Sequence, residues 1–110
     1  MITETIYLRR NNVISPILKA RAATSNDAVA QDITGTSRMQ LLVSQVLIDS
    51  QAYPSAFDWS TNGANGQLDL RLGFVAGLRV GTYRSRLTIY DLNYPSGRVW
   101  GYFMLEVKEN

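Results

Sequence analysis

The side chains that perform most enzyme chemistry are missing from this chain or scattered along it. Its 110 residues include no cysteine and no histidine. This excludes thiolate nucleophiles, cysteine-based zinc sites and the commonest general base near neutral pH. Acid–base catalysis by a pair of carboxylates would have to use Asp49, Asp58, Asp69 or Asp91. The sequence contains no nucleophile elbow, phosphate loop or dinucleotide fingerprint. The sequence therefore predicts a protein that is not an enzyme, with no catalytic residues and no cofactor.

The segment Asp58–Asp69 partly matches the spacing of a calcium-binding loop. Oxygen-bearing side chains stand at its first, third, fifth and twelfth positions, and a glycine stands sixth. However, Asn65 occupies the position of the usual apolar anchor, and the last ligand is Asp69 where glutamate is usual. A strand, an Asn-Gly turn and a second strand explain the same residues. We therefore predict no metal site here.

Aromatic and basic side chains near the C-terminus form the most informative group. Regular alternation along Arg98–Lys108 puts Val99, Phe103 and Leu105 on one face of a strand. If that face fills the core, the residues between them point outward. Aromatic residues, methionine and arginine are enriched at the centres of protein interfaces. The predicted interface residues are Tyr90, Trp100, Tyr102, Met104, Arg84, Arg86 and Arg98.

Two other interpretations of these aromatic residues stay open at this point. The N-terminal segment or the loop around Tyr53–Pro54 could cover them, in which case they belong to the core. Alternatively, Trp59, Trp100 and the tyrosines could stack on sugar rings, as in a carbohydrate-binding module. Coplanar, exposed rings along a groove would favour sugar, whereas rings mixed with Met104 and arginine on a flat face would favour protein.

The elements that must position these residues have the period of two that is typical of half-buried strands. Seven or eight short strands with turn residues between them predict one all-β domain spanning residues 1–110, an antiparallel two-sheet sandwich. Only Thr24–Ala30 and Phe74–Val80 could hold a helical turn. If the hairpin around Asn93–Gly97 closes symmetrically, Tyr90 faces Trp100. The predicted strands are Ile2–Arg9, Val13–Ala22, Arg38–Val43, Val46–Ile48, Ala56–Ser60, Gln67–Leu72, Thr82–Asp91 and Arg98–Lys108.

Charge and hydropathy restrict the classes of partner. The formal charge is only +2, and acidic residues are interspersed among the basic ones, so little counterion release is available and nucleic-acid binding is disfavoured. No apolar run reaches the ~20 residues that span a bilayer, and the Met1 end lacks the basic start of a signal peptide. We expect no membrane partner.

Four turn-and-strand motifs occur along the chain, at Asp32–Thr36, Asn65–Leu70, Leu78–Asp91 and Gly97–Phe103. Together they resemble small immunoglobulin-like modules of bacteriophage virions. The nearest are the N-terminal domain of upper baseplate proteins and fibre-associated modules, and capsid decoration proteins are β-domains of similar size. The resemblance implies an immunoglobulin-like sandwich in the virion, made in the host cytoplasm, that docks or cements tail, baseplate, fibre or capsid subunits in a symmetric, multi-copy assembly. It implies no catalytic residues.

Overall fold

The computed structural model describes residues 3–18 and 32–109, and strands dominate them. The all-β class is confirmed. No helical turn forms at Phe74–Val80, where only turns and bends occur, and the other segment that could hold one, Thr24–Ala30, lies outside the described residues. Single 3-10 turns occur at Pro54–Ala56 and Gly63–Asn65. The strands of the described ranges are β1 (Thr3–Tyr7), β2 (Arg38–Val43), β3 (Val46–Asp49), β4 (Phe57–Asp58), β5 (Asp69–Leu70), β6 (Gly81–Tyr90) and β7 (Arg98–Lys108).

The strands form a large and a small sheet. Five of them lie in the order β1-β7-β6-β2-β3, while β4 pairs with β5. The predicted strand at Val13–Ala22 is reduced, within its described part, to isolated bridges at Ile14 and Ile17, which join it to the small sheet. The prediction of wholly antiparallel pairing is wrong at one edge, because β1 runs parallel to β7. Parallel neighbours need a long crossover, and here most of the chain lies between the two strands.

The large sheet and the small sheet are compatible with the two layers of a β-sandwich. The Tyr83 hydroxyl, near the start of β6, donates to the backbone carbonyls of Arg79 at 2.9 Å and Val80 at 3.3 Å. We call this arrangement the tyrosine corner, after the similar contact known from β-sandwiches. Gly81 has φ 154°, and a Cβ there would lie 2.9 Å from the Tyr83 hydroxyl. The Gly-Thr-Tyr motif thus builds the corner.

Alternating residues of the large sheet and buried residues of the opposite layer share one hydrophobic core. In β6, for example, Leu87 and Ile89 are buried while Arg84, Arg86 and Thr88 lie on the other face. Burial of each large aliphatic side chain contributes roughly 1.5–3 kcal/mol. The side chains buried almost completely include Ile6, Met39, Leu41, Val43, Ile48, Leu68, Leu70, Leu72, Leu87, Ile89, Leu105 and Val107.

A β-bulge interrupts the β6–β7 ladder. Leu87 pairs with Gly101 but Thr88 pairs with Val99, so Trp100 is an extra residue. An extra residue reverses the faces beyond it, and Trp100 consequently turns into the core. The predicted symmetric register, with Tyr90 opposite Trp100, is wrong. The pairs that form on the outer face instead include Arg86 with Tyr102, Arg84 with Met104 and Thr82 with Glu106.

We predict that Tyr83→Phe lowers the free energy of unfolding by about 1 kcal/mol, because the substitution removes only the hydroxyl that closes the corner. Urea denaturation measures the change. Tyr94→Phe is the matched control, since no hydrogen bond of the Tyr94 hydroxyl occurs among the described residues, and this variant is expected to match the parent. Equal stability of all three proteins would contradict the role assigned to the corner.

Candidate interface on the large sheet

A row of side chains crosses the outer face of the large sheet, the side that faces away from the core. Strand register aligns Leu47 with Leu42, Leu42 with Arg86 and Arg86 with Tyr102. Leu47 is 52% exposed and Tyr102 45% exposed, and Arg86 is also exposed. Apolar, aromatic and cationic groups therefore lie side by side across four hydrogen-bonded strands.

The next pair of residues extends this row toward β1. Arg84 pairs with Met104, and its Cζ lies 4.1 Å from the centroid of the Tyr102 ring, which is cation–π geometry. Neither Arg84 nor Arg86 forms an ion pair with any acid of the described residues. We call this surface the basic-aromatic patch, and it consists of Leu42, Leu47, Arg84, Arg86, Tyr102 and Met104.

A fully hydrogen-bonded polar cluster borders the patch. Arg38 forms an ion pair with Asp49, and Gln40 Nε2 donates to Asp49 at 2.9 Å. The Tyr90 hydroxyl donates to Gln40 Oε1 at 2.9 Å, while the Arg38 guanidinium lies 5.1 Å from the Tyr90 ring. Hydrogen bonds from Arg38, then Gln40, hold the pKa of Asp49 well below its usual range. Tyr90 therefore belongs to this polar cluster, which lies at one border of the patch.

The structure brings together four of the seven predicted interface residues and separates two others from them. Arg84, Arg86, Tyr102 and Met104 share the outer face, and Tyr90 borders them. Trp100 is only 8% exposed, so its predicted outward orientation is wrong, and the bulge is the reason. Arg98 pairs with Ile89, a core residue, and so lies on the inner side of the sheet. The interface itself stays a prediction.

Leu42 and Leu47 were missed although the sequence carries a signal for them. Leu42 stands between the buried residues Leu41 and Val43, and Leu47 stands between the half-buried Val46 and the buried Ile48. A strand that is apolar on both faces is either covered twice or exposes one apolar face. The same criterion that selected β7 would have selected β2 and β3.

The tryptophans do not form the exposed platform that the sugar-stacking interpretation requires. Trp100 is buried, and Trp59 is half-buried with its Nε1 donating to the Thr36 carbonyl at 3.0 Å. The alternative that other segments cover the aromatic residues does not hold for Tyr102, whose ring is exposed. Tyr53 packs against the core instead of lying over this face.

The acidic residues of the segment Asp58–Asp69 accept hydrogen bonds that stabilise a turn and the small sheet. Asp58 accepts hydrogen bonds from the Thr61 hydroxyl at 2.7 Å and the Ser60 backbone N–H at 3.0 Å. Such bonds, chiefly those from Thr61, lower the pKa of Asp58 to about 2. Asp69 accepts from Ser15 Oγ and Gln67 Nε2, both at 2.8 Å. In residues 3–18 and 32–109, no three His, Cys, Asp or Glu side chains are grouped as metal ligands.

Comparison with known proteins adds no functional assignment. No protein-family model matches the chain, and no curated protein is significantly similar to it. In the part of the chain that the structure describes, no helix is long and apolar enough to cross a membrane. A functional proposal must therefore start from the surfaces just described.

Substitutions in β7 should separate the core residue from the surface residue. We predict that Trp100→Ala lowers the free energy of unfolding by about 3 kcal/mol or more, because it leaves a large cavity in the core. Tyr102→Ala should cost less than about 1 kcal/mol, since much of the Tyr102 ring is exposed. Chemical denaturation followed by circular dichroism gives both values. A larger loss of stability for Tyr102→Ala than for Trp100→Ala would contradict the inward orientation of Trp100 at the bulge.

The Arg38–Asp49 pair should make stability depend on acid pH. The pKa of Asp49 is lower in the folded chain than in the unfolded one, so the stabilisation is complete above the unfolded value near 4 and decreases as pH falls below it. We predict that Asp49→Asn lowers the free energy of unfolding by about 1–2 kcal/mol at pH 7. The difference from the parent should shrink progressively below about pH 4. Urea denaturation of both proteins between pH 7 and acid pH measures the two free energies of unfolding. A difference that does not change with pH would contradict the stabilising role of the Arg38–Asp49 ion pair.

Proposed function

We propose that this protein is a non-catalytic docking module that joins other proteins in a larger assembly through the basic-aromatic patch. The observation that carries the proposal is the exposed row from Leu47 to Tyr102 across four paired strands. Because strand hydrogen bonds fix the backbone beneath it, little backbone entropy is lost when a partner binds. Tyrosine, methionine and arginine are also the residue types that supply much of the energy at interface centres.

The charges of the patch favour a partner of opposite character. Arg84 and Arg86 form no ion pair with an acid of the described residues, while Asp49 and Glu106 form ion pairs with Arg38 and Lys108. A partner that presents carboxylates to the two arginines and apolar groups to the leucines and Met104 would complement the surface. A second copy placed symmetrically over Arg86 would set like charges against each other. We therefore favour a different, acidic protein as the partner.

We further propose that the assembly is a bacteriophage virion, with the module in the tail, baseplate or fibre attachment or on the capsid surface. The support for this step is the sequence resemblance. Two of its motifs have structural roles here. Gly81-Thr82-Tyr83 forms the tyrosine corner, and at Gly97, with φ 84°, a Cβ would lie 2.6 Å from the Tyr90 ring. Many copies in a symmetric particle would convert modest single contacts into durable attachment.

Charge reversal within the patch tests the docking role. We expect Arg86→Glu to lower incorporation of the chain into particles at least about tenfold, which corresponds to about 1.4 kcal/mol of lost binding free energy. Quantitative mass spectrometry of purified particles from cells that express parent or variant measures it. Arg79→Glu is the matched control, because Arg79 is exposed but lies in the turn before β6, outside the patch.

Two outcomes would contradict the proposal. Absence of the parent chain from purified particles would refute the virion assignment. Equal incorporation of Arg86→Glu, Arg79→Glu and the parent would refute docking through the patch while leaving the assembly itself in place. Circular dichroism of each purified variant verifies that loss of incorporation does not arise from unfolding.

A further inference from the structure

A cleft of about 280 Å³ lies at the end of the large sheet where the β6–β7 hairpin turns. The turn around Asp32 to Thr36 forms one wall, and the start of the hairpin loop, Asp91 to Asn93, forms another. Ile33 and Ile89, both buried, give it an apolar floor. Arg98 and Trp100 complete it from β7. The cleft is separate from the basic-aromatic patch, with which it shares no residue.

Arg98 enters the cleft with an unsatisfied donor. Its Cζ lies 4.3 Å from the Tyr94 ring centroid and 4.8 Å from that of Trp100, so two aromatic rings hold the guanidinium. Its Nε is buried and has no hydrogen-bond partner within the described ranges. No acid of these ranges forms an ion pair with Arg98. Because no acid of these ranges neutralises it, the guanidinium of Arg98 keeps its positive charge beside the cleft.

Two carboxylates also line the cleft. Asp32 Oδ1 accepts from the N–H of Thr34 at 2.9 Å and from its hydroxyl at 2.6 Å. Asp91 Oδ1 accepts from the N–H groups of Asn93 at 3.0 Å and Tyr94 at 2.9 Å. The Oδ2 atoms of both aspartates have no hydrogen bond in the described part of the chain. The cleft is therefore lined by one guanidinium without an ion-pair partner and by two carboxylates that each have an oxygen without a hydrogen bond.

This combination selects a ligand by charge and hydrogen-bonding capacity. An anion would be attracted by Arg98 but repelled by Asp32 and Asp91, and a cation would meet the reverse. A neutral molecule with adjacent hydroxyl groups satisfies both, because each hydroxyl donates to a carboxylate and accepts from a guanidinium. The apolar floor formed by Ile33 and Ile89 suits the C–H face of a sugar. A cleft of this volume lies at the small end of ligand sites, which restricts it to about one ring.

We propose that the cleft binds a single neutral sugar ring, with Arg98 as the donor and Asp32 and Asp91 as the acceptors. Recognition is polar, and Trp100 forms a wall of the site, in contrast to stacking on exposed tryptophans. The site does not require the docking role. If the chain is nevertheless part of a virion, the cleft gives that assembly a contact for a glycan.

The test is a titration of the full, ¹⁵N-labelled chain followed by amide NMR. The probes are glucose, galactose, mannose and N-acetylglucosamine at millimolar concentrations, with glucuronic acid and glucosamine as charged counterparts. We expect at least one neutral sugar to shift the amide signals of residues 32–36, 91–93 and 98–100. Glucuronic acid should bind more weakly than the neutral sugars, because two carboxylates repel it and only one guanidinium attracts it.

Matched variants make the assignment specific. Asp91→Asn and Asp32→Asn each keep an Oδ1 that can cap the turn but replace the free acceptor, and each should weaken sugar binding at least about tenfold, about 1.4 kcal/mol. Asp58→Asn, the same change outside the cleft, should leave binding unaltered. The spectrum of each variant also shows whether it is folded. If one cleft variant does not fold, the other decides.

Three results would overturn the proposal. The first is that no neutral sugar shifts these signals. The second is that the shifts persist unchanged in the folded Asp32→Asn or Asp91→Asn protein. The third is that a neutral blocked peptide, N-acetylalanine methylamide, shifts the same signals more strongly than any sugar, which would make the cleft a peptide site. None of these results bears on incorporation of Arg86→Glu, so the two proposals can fail independently.

Discussion

The hydrogen-bonded ladder between β6 and β7 is the constraint on which the other elements depend. These are the two longest strands, and they occupy neighbouring places inside the large sheet, with β2 attached to β6 and β1 attached to β7. Their inner faces supply Leu87, Ile89, Phe103, Leu105 and Val107 to the core. An error in their register would turn these residues toward solvent, because the side-chain period of a strand is two. Register therefore matters more here than the composition of any single strand.

The β-bulge in this ladder directs the side chains of β7 to two different surfaces, the basic-aromatic patch and the cleft. Beyond the bulge, Trp100 and Arg98 are directed to the inner side and reach the cleft, whereas Tyr102 and Met104 remain on the outer face with Arg84. Gly101 has no side chain, and a Cβ there would meet no atom within 4 Å. A Cβ at Gly101 would therefore meet no steric hindrance. A single strand in this way contributes both to the basic-aromatic patch and to the cleft.

Local periodicity predicted much of the fold. The bounds expected for β2 and β7 are those observed, β3 differs by one residue at its end, and β6 differs by one residue at each end. This agreement arises because alternation between buried and exposed positions is a property of the strand itself. The five-residue parallel pairing of β1 with β7 was not predictable in this way, since it joins residues about a hundred positions apart. The bulge was missed because Gly101 fits a core position of a regular pattern equally well. Trp100 was assigned to the wrong face for this reason alone.

The parallel placement of the two terminal strands has a mechanical consequence. Thr3–Tyr7 lies directly beside Met104–Lys108 and runs in the same direction. Tension applied between the chain before Thr3 and the chain after Lys108 would slide these strands along each other. All of the hydrogen bonds between them would then bear the load together, instead of opening one after another as in an unzipped hairpin. The domain is thus arranged to resist stretching along its length.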